Sequence, residues 1–424
     1  MSDWKRYKFL DICHRLVNGG TPDTSNPSYW NGNIPWITGA DFNEHGISQI
    51  RRKINENAFR SSSTNIIEKD NLLLVTRTGV GKLAIAPFDI AISQDITGIY
   101  FSSEIVDTLF MYYSMQSLLV ELQKLNQGTS INGILRDDLE NLEVDIPSLP
   151  HQRKIAKILS TVDEQIEQTE ALIAKYQSMK KGMMQDLFSR GVDKNGKLRP
   201  SYETASNLYK SSELGMIPKE WEIKTVANSE VLIIDGDRGV HYPHEDEFSS
   251  DGYCIFLSAT NVTKDGFRFD TIQFITKDKD ELLRKGKLQK FDIVVTTRGT
   301  VGNVAFYNDT IKYENIRINS GMVILRNQGK DLQNAFLYYS IKEWLLPVAQ
   351  RKTASGSAQP QFPIKDLEKM YLIKPKLFEQ KIIAEKIHSI TLVIENEKEW
   401  LSKLKQQKQG LMQDLLTGNL PVAV

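Results

Sequence analysis

Two stretches of this 424-residue chain carry hydrophobic residues at steps of three and four positions. The first stretch follows Pro150, and the second repeats it 228 residues later. Such spacing is typical of helices that wind around each other along one apolar seam. A helix from about Pro150 to Ser189 would be roughly 58 Å long at 1.5 Å per residue. The seam positions are Ile155, Leu159, Val162, Ile166, Ile173, Tyr176, Met183 and Leu187 in the first stretch and Ile383, Ile387, Ile390, Ile394, Leu401, Leu404, Leu411 and Leu415 in the second.

Each seam is interrupted twice, at Thr169 and Lys180 in the first stretch and at Glu397 and Lys408 in the second. Polar residues within a seam set the register of paired helices at some cost in stability. We expect the two helices to pair antiparallel, as a spacer with the rest of the chain at its two ends in a pseudo-twofold dumbbell. The alternative is an amphipathic helix that lies on its own globular body.

An internal duplication underlies the two helices. Shifted by 228 residues, 128–188 matches 356–416 without a gap, with 18 identical residues at 61 positions. The register holds through Pro147 and Pro375 and through the Met-Gln-Asp-Leu sequence near each helix end. A shared helical composition does not explain a register kept through proline. The chain is therefore predicted to be two tandem copies, each a variable body followed by a better-matched helical tail.

Short apolar runs separated by Gly, Asn, Asp and Ser predict that each body is rich in β-strands. A short helix at about 109–124, with a counterpart at 335–346, closes each body, so the predicted fold class is α+β. The strand-like runs are 71–75, 83–86, 254–257, 292–295 and 321–325. The predicted boundaries are a first body at 1–145, a long helix at 146–190, a linker at 191–217, a second body at 218–372 and a second long helix at 373–424.

Composition narrows the class of protein. Lys plus Arg and Asp plus Glu number 53 each, so the formal net charge is zero. This balance excludes a uniformly cationic nucleic-acid binder, although local basic patches remain compatible with it. Two cysteines are too few for a disulfide scaffold or a four-thiolate metal site. Without a long apolar window or a signal-peptide core, the sequence predicts a cytoplasmic protein.

No motif of an enzyme is recognised. The loop of adenine methyltransferases contains a Pro-Pro pair, which this chain lacks. Residues 78–82 are similar to a phosphate-binding loop, but Leu83 stands where Ser or Thr binds magnesium. His241 and His244 have no third ligand at a suitable spacing. We therefore expect a non-catalytic protein with no cofactor and no metal.

Several segments carry a family resemblance. The sequence GGTPDTSNPSYWNGNIPWITGADF at 19–42 resembles the opening of a target-recognition domain in the specificity subunit (HsdS) of type I restriction–modification systems. Residues 128–156 are similar to that family's entry into its spacer helix, while 211–222 and 236–248 resemble the beginning of a second recognition domain and another class of such domain. The resemblance covers essentially the whole chain. It departs at 356–363, GSAQPQFP, and in the dissimilar openings of the two bodies.

The resemblance implies two tandem α/β target-recognition domains separated by two long helices that form an antiparallel coiled-coil spacer. Each domain would read one half of a split, asymmetric target in double-stranded DNA. The subunit would recruit two methyltransferase subunits, which use S-adenosylmethionine to methylate adenine, and through them ATP-driven restriction subunits, in a prokaryotic cytoplasm. Two alternatives are the separately encoded recognition half of a fused restriction enzyme and a coiled-coil adaptor that does not bind DNA.

Candidate DNA-binding residues follow from the chemistry of readout. Arg pairs well with guanine and Asn or Gln with adenine, whereas phosphates are bound by Lys, Arg and hydroxyl groups. Arg77 and Arg298 are the strongest candidates, because both lie at a glycine-containing turn in matched positions of the two copies. For each candidate, a solvated side chain or an internal ion pair is the alternative. The candidates are Thr21, Asn43, Arg51, Arg52, Lys53, Arg77 and Lys82 in the first body and Arg238, His241, Asn261, Lys264, Arg268, Arg298 and Arg317 in the second.

Overall fold

The chain forms two compact units. A computed structural model describes residues 3–43, 46–77, 80–125, 139, 142–347 and 362–422. Unit 1 comprises Met1–Ala171 together with Lys398–Val424, and unit 2 comprises Leu172–Glu397. Unit 1 is therefore built from two separate segments of the chain.

The body of unit 1 is rich in short strands, as predicted. Its helices are α1 (Phe9–Ile12), α2 (Glu56–Arg60), α3 (Thr108–Leu125) and the first part of the long helix α4 (Leu149–Ser189). Its strands are β1 (Lys5–Lys8), β2 (Cys13–Asn18), β3 (Ile34–Ile37), β4 (Phe42–Asn43), β5 (Gly46–Ile47), β6 (Arg52–Ile54), β7 (Asn65–Ile67), β8 (Leu72–Val75), β9 (Leu83–Ile85), β10 (Ile90–Ile92), β11 (Ile96–Phe101) and β12 (Glu143–Ile146).

Two four-stranded sheets, in the orders β2-β11-β8-β9 and β6-β3-β10-β7, form this body. The pair β3–β10 is parallel, and the other pairs of these sheets are antiparallel. Along β8, Leu73 and Val75 pack toward the second sheet, while Leu72 and Leu74 pack toward α1, α3 and α4. Because side chains alternate along a strand, both faces of β8 are buried, which explains its uninterrupted apolar sequence.

Unit 2 contains a second body of the same kind. Its helices are the end of α4, α5 (Lys277–Leu282), α6 (Asn334–Tyr339), which continues as a π-helical turn at Ser340–Leu345, α7 (Ile364–Glu368) and the first part of the long helix α8 (Leu377–Leu416). Its strands are β13 (Tyr209–Ser212), β14 (Gly215–Pro218), β15 (Glu222–Thr225), β16 (Val231–Asp235), β17 (Cys254–Leu257), β18 (Val262–Thr263), β19 (Gly266–Phe267), β20 (Phe274–Ile275), β21 (Ile293–Thr296), β22 (Val304–Phe306), β23 (Ile316–Ile318), β24 (Met322–Asn327) and β25 (Tyr371–Lys374).

The sheets of unit 2 repeat those of unit 1. The order β16-β24-β21-β22 corresponds to β2-β11-β8-β9, and β20-β17-β23 corresponds to β6-β3-β10. The pair β17–β23 is again parallel. Val294 and Ile324 pack toward the sheet of β17, whereas Val295 and Val323 pack toward α6 and α8. The two bodies therefore share one fold although their opening sequences differ.

The long helices run antiparallel within each unit, as predicted. In unit 1, Val162 and Ile166 of α4 pack against Leu404 of α8. In the same unit, the ammonium groups of Lys405 and Lys408 each lie 2.7 Å from a carboxylate oxygen of α4, that of Glu170 and that of Asp163. The lysine with the higher residue number pairs with the carboxylate of lower residue number, as expected for antiparallel helices. In unit 2, the N–H of Val192, just beyond α4, donates to Glu379 at the beginning of α8 over 2.9 Å.

Each helix changes neighbours along its length. At the beginning of α4, Ile155 and Leu159 are buried in the core of the unit 1 body, and Ile383 and Ile387 at the beginning of α8 are buried in that of unit 2. The alternative of a helix on its own body therefore describes these beginnings, and helix pairing describes the middle. Of the remaining seam residues, Ile173 and Ile394 are buried, while Ile390 and Leu401 are partly exposed.

The far ends of the helices pack on the body of the other copy. Leu415 of α8 is buried in the core of the unit 1 body, and Leu187 of α4 is buried in the core of the unit 2 body. Both residues belong to the repeated Met-Gln-Asp-Leu sequence. Each copy of the duplicated sequence therefore contributes the end of its long helix to the core of the other copy's body.

The segment 191–217, predicted as a linker, is folded into unit 2. It carries β13 and most of β14, which pair with each other. Val192 and Ile217 are buried in the core of unit 2. Within the described residues, no helix is both long enough and apolar enough to cross a membrane.

Candidate nucleic-acid interface

Three loops meet at one end of the unit 1 body. They follow β2 (19–21), follow β8 (76–77) and connect β10 to β11 (93–95). The N–H of Gly20 donates to the carbonyl oxygen of Ile92 over 3.0 Å, and the N–H of Thr76 donates to that of Asp95 over 2.8 Å. We call this set of loops the loop edge of unit 1.

The equivalent loops of unit 2 meet in the same way. They are residues 236–241 after β16, 297–303 after β21 and 319–321 between β23 and β24, and we call them the loop edge of unit 2. The N–H of Thr297 donates to the carbonyl oxygen of Gly321 over 2.8 Å. A Cβ on Gly236 would lie 2.2 Å from the carbonyl oxygen of Asn319, so only glycine fits there.

Gly19 holds the same position in unit 1 as Gly236 does in unit 2. A Cβ on Gly19 would lie 2.2 Å from the carbonyl oxygen of Ile92. In both bodies the loop after the first strand of the main sheet therefore lies directly against the loop that precedes its second strand. This close approach positions the candidate side chains that follow each glycine.

A short hairpin borders each loop edge. The ammonium group of Lys82 donates to the carbonyl oxygen of Phe42 at β4 over 2.9 Å. In unit 2, the side-chain amide of Asn303 donates to the carbonyl oxygen of Val262 at β18 over 2.8 Å. Lys82 and Asn303 occupy matched positions, so the role that these two share is to hold the hairpin. This assigns the Lys82 ammonium group to the fold rather than to DNA.

The loop edges bring together five of the candidates, Thr21 and Arg77 in unit 1 and Arg238, Arg298 and the exposed His241 in unit 2. Thr21 donates a short hydrogen bond to the side chain of Gln94. The guanidinium of Arg238 lies 3.2 Å from the carbonyl oxygen of Ser320 and pairs with Asp235. Arg77 and Arg298 are exposed, and among the described residues neither has its guanidinium in an ion pair.

Other candidates lie on exposed loops and hairpins of the two units. Asn43 and Lys264 are exposed on the bordering hairpins. Arg268, also exposed, pairs with the carboxylate of Asp270. Each of these side chains is accessible to a partner.

The run at 51–53 is divided among three environments. Arg51 pairs with the buried carboxylate of Asp41. Burial alone would raise the pKa of Asp41, but its hydrogen bonds with Arg51 and Thr38 outweigh burial, and the pKa is lowered. The guanidinium of Arg52 lies 5.6 Å from the rings of two tryptophans, and Lys53 is exposed on the edge strand β6. Of the three, Lys53 has the charge that is least engaged by the fold.

Two candidates are buried, and their prediction as DNA-binding residues is wrong. Asn261 is 3% exposed; its amide donates to the carbonyl oxygens of Arg268 and Thr271, and its oxygen accepts from Ser258. Every polar atom of the Asn261 side chain therefore serves the turn before the hairpin, and none is left for a base edge.

Arg317 is 5% exposed on β23. Its guanidinium pairs with the buried carboxylate of Asp280 and donates to the carbonyl oxygens of Lys285 and Leu283 over 2.7 and 2.9 Å. The position within a strand of the second sheet explains the burial. Sequence alone did not show this, because the carboxylate partner lies 37 residues away.

Sequence reasoning also missed three residues beside the unit 2 loop edge. Asp237 is 7% exposed, and its carboxylate accepts hydrogen bonds from the backbone of Gly239, Arg284 and Lys285. Burial would raise the pKa of Asp237, but these three backbone donors, together with the positive charge of Arg284, outweigh burial and lower the pKa. Arg284 and Lys285 are exposed. The Gly-Asp-Arg-Gly sequence at 236–239 was the available signal, because Asp commonly caps its own turn.

No cofactor or metal site emerges from the part of the chain that the structure describes. Within it, no three His, Cys, Asp or Glu side chains are grouped so as to hold a metal ion. His241 and His244 are both exposed.

Comparison with known proteins shows that the chain is similar to specificity subunits of type I restriction enzymes. The profile of the type I restriction modification DNA specificity domain matches residues 1–176 and 218–406. The MjaVIII specificity subunit of a type I restriction enzyme from Methanocaldococcus jannaschii is 26% identical over 424 residues, which cover 99% of this chain and 93% of that protein. The EcoBI specificity subunit from Escherichia coli is 21% identical, over 72% of this chain and 64% of that protein.

Solved structures share the fold. The S subunit of a type I restriction–modification system from M. genitalium superposes with a TM-score of 0.61 at 16% identity, over 100% of this chain and 97% of that one. A chain from a study of complex assembly and conformational transition in the type I R-M system gives a TM-score of 0.54 at 16% identity, over 99% of both chains. At this identity the likeness concerns the fold.

Proposed function

The chain belongs to the type I restriction modification DNA specificity family, and we propose that it selects the DNA sequence on which a type I restriction–modification enzyme acts. The observation that carries the proposal is the pair of loop edges: one fold is present twice, with side chains that differ at matched places such as Thr21 and Arg238. A base-reading surface needs side chains that vary on a constant framework. Two such surfaces in one chain suit a target in two unlike parts.

The chemistry of the loop edges supports direct contact with DNA. Arg77 and Arg298 follow equivalent strands, β8 and β21, and are exposed beside a backbone that other loops hold in place. An arginine can bind the major-groove edge of guanine with two hydrogen bonds. We infer that each of the two reads a base in its own half of the target.

The partners follow from the same proposal. The specificity subunit has no reaction of its own and joins the restriction–modification complex. In our proposal it recruits two methyltransferase subunits, which methylate adenine with S-adenosylmethionine, and through them ATP-driven restriction subunits. With a net charge of zero, the chain leaves much of the phosphate binding to these partners.

The experiment is to co-express the chain with its methyltransferase subunit in a host without other adenine methylation and to sequence the methylome. We expect two short half-sites separated by several unspecified base pairs. Replacing residues 1–145 with the body of another specificity subunit should change one half-site and leave the other. One continuous palindrome, or a swap that alters both halves, would contradict the proposal, and absence of sequence-dependent methylation would favour the adaptor alternative.

A further inference from the structure

A fourth loop extends the loop edge of unit 2. Residues 284–286, after α5, are tied to it through the buried carboxylate of Asp237. One oxygen of that carboxylate accepts from the N–H of Arg284 over 2.8 Å and from that of Lys285 over 3.3 Å. The other accepts from the N–H of Gly239 over 2.7 Å. Asp237 therefore fixes the two loops side by side.

This arrangement places exposed cations on adjoining loops. Arg284 and Lys285 lie next to the loop that carries Arg238, and the turn at 319–321 separates that loop from Arg298. Arg238 pairs with Asp235, but among the described residues the charged groups of the other three are in no ion pair. The loop that carries Arg238 projects into solvent, since Val240 in the same loop is 86% exposed.

The corresponding place in unit 1 has no cation. A Cβ on Gly20 would lie 2.1 Å from the hydroxyl of Ser63, so 62–64 is the loop that adjoins the loop after β2. Its sequence is Ser-Ser-Thr, and Gly20 stands where unit 2 has Asp237. The cations and the carboxylate that holds them are thus a property of unit 2 and not of the shared fold.

Although the buried Asp237 carboxylate interacts electrostatically with Arg284, exposed cations on adjoining loops create a positive potential that a polyanion neutralises. We propose that Arg284 and Lys285 form a phosphate-binding surface beside the base-reading loops of unit 2, and that Asp237 is the positioning residue of this surface. The inference rests on the proposed function, because it takes the loop edge to face DNA. It adds two phosphate contacts and the residue that orients them.

The first test measures binding of the complete chain, assembled with its methyltransferase subunit, to a short duplex of random sequence over a series of salt concentrations. Each phosphate contact contributes about 0.9 to the slope of log affinity against log salt, and its loss costs roughly fivefold at physiological salt. Arg284→Ala and Lys285→Ala should each lower the slope and the affinity by these amounts. Lys330→Ala, an exposed cation beyond the opposite end of β24, is the matched control and should change neither.

The second test asks whether Asp237→Asn strengthens or weakens DNA binding. Removing a negative charge from a basic surface should by itself strengthen DNA binding, as we expect for the exposed control Asp246→Asn. Asp237→Asn should instead weaken it and lower the salt slope, because the single oxygen of asparagine cannot accept from three backbone donors. Its melting temperature and its assembly with the methyltransferase are measured alongside. If Asp237→Asn does not fold, Arg284→Ala and Lys285→Ala decide whether this surface binds phosphate.

The outcomes separate this inference from the function on which it rests. If the wild-type complex shows no salt-dependent binding to DNA, the proposed function fails. If it binds with a steep salt dependence and Arg284→Ala and Lys285→Ala behave as Lys330→Ala does, the phosphate-binding surface is overturned while the function stands. Tighter binding by Asp237→Asn would overturn the positioning role.

Discussion

Gln152 and Gln380, which lie 228 positions apart, make the same three hydrogen bonds in the two units. Both side chains are 0% exposed at the beginning of a long helix. In each, Nε2 donates to two carbonyl oxygens and Oε1 accepts one backbone N–H, over 2.7–2.9 Å. The partners are Ile105, Pro147 and Asp107 for Gln152, and Asp331, Pro375 and Gln333 for Gln380.

Gln152→Ala should therefore lower the free energy of unfolding of unit 1 by about 2 kcal/mol or more, because buried polar groups lose their partners. Gln380→Ala should do the same in unit 2. The measurement is denaturant unfolding, with Gln168→Ala on the exposed face of α4 as the control. Equal stabilities of Gln152→Ala and the control would show that water replaces the side chain.

The lysine that interrupts the first seam has a specific partner. Lys180 lies 2.7 Å from Glu343, with side-chain exposures of 15% and 19%. Lys180→Ala should destabilise unit 2 by about 1–3 kcal/mol, because Glu343 then stays partly buried without its counter-charge. Lys181→Ala, at the exposed neighbouring position, should have little effect on the same unfolding curve. A larger loss for Lys181→Ala would contradict this assignment.

A charge in the seam should disrupt the helix pair. Ile166 is 3% exposed between α4 and α8, so Ile166→Asp would bury a carboxylate without a partner, at a cost of about 3–5 kcal/mol. Ile394→Asp should act likewise in unit 2. Both should abolish assembly with the methyltransferase in size-exclusion chromatography, whereas Gln168→Asp should assemble normally. Assembly of Ile166→Asp would mean that the pairing does not support the complex.

Base reading predicts a loss confined to the correct target. Arg298→Ala should weaken binding to the methylated motif by about 1–3 kcal/mol, or roughly 5- to 150-fold, and leave nonspecific affinity and assembly unchanged. Arg77→Ala should do the same for the other half-site. The measurement is competition between specific and scrambled duplexes. An equal loss for both duplexes would assign Arg298 to phosphate.

Acid should destabilise unit 2 through Asp280. Burial alone would raise the pKa of Asp280, but its bonds with Lys287 and Arg317 outweigh burial and lower the pKa below its ordinary 3.8. A lowered pKa contributes stability that is present above 3.8 and is lost as the pH falls through the folded-state value. Stability curves should therefore fall less steeply below pH 3.8 in Asp280→Asn than in the wild type. Parallel curves would show that other carboxylates dominate acid unfolding.

The regular parts of this fold were predictable from local pattern. The helix expected at about Pro150 to Ser189 is Leu149–Ser189, and the strand-like runs at 83–86 and 254–257 are β9 and β17. Heptad spacing and turn residues act over a few positions and can be read directly. The antiparallel pairing followed from the duplication.

Long-range placement was not predictable in the same way. A sequence shows that Arg317 is an arginine in an apolar strand, but not that α5 brings Asp280 to it. Nor does a sequence show that Lys82 and Asn303 both hold the bordering hairpin. An ammonium group and an amide group are different chemically and share only the ability to donate to a carbonyl oxygen. The candidates at the glycine-containing turns, Arg77 and Arg298, are exposed and stay predictions, whereas the sequence did not show that Asn261 and Arg317 are buried.

Unit 1 also imposes an order on biosynthesis. Its body is completed by Leu415 and its neighbours on α8, which leave the ribosome after the whole of unit 2. While translation continues, the apolar surface that Leu415 covers is open, and nascent chains in this condition are prone to aggregate. A ribosome that stalls on α8 after Glu397 would release a product whose second unit is whole and whose first unit lacks the α8 residues of its core.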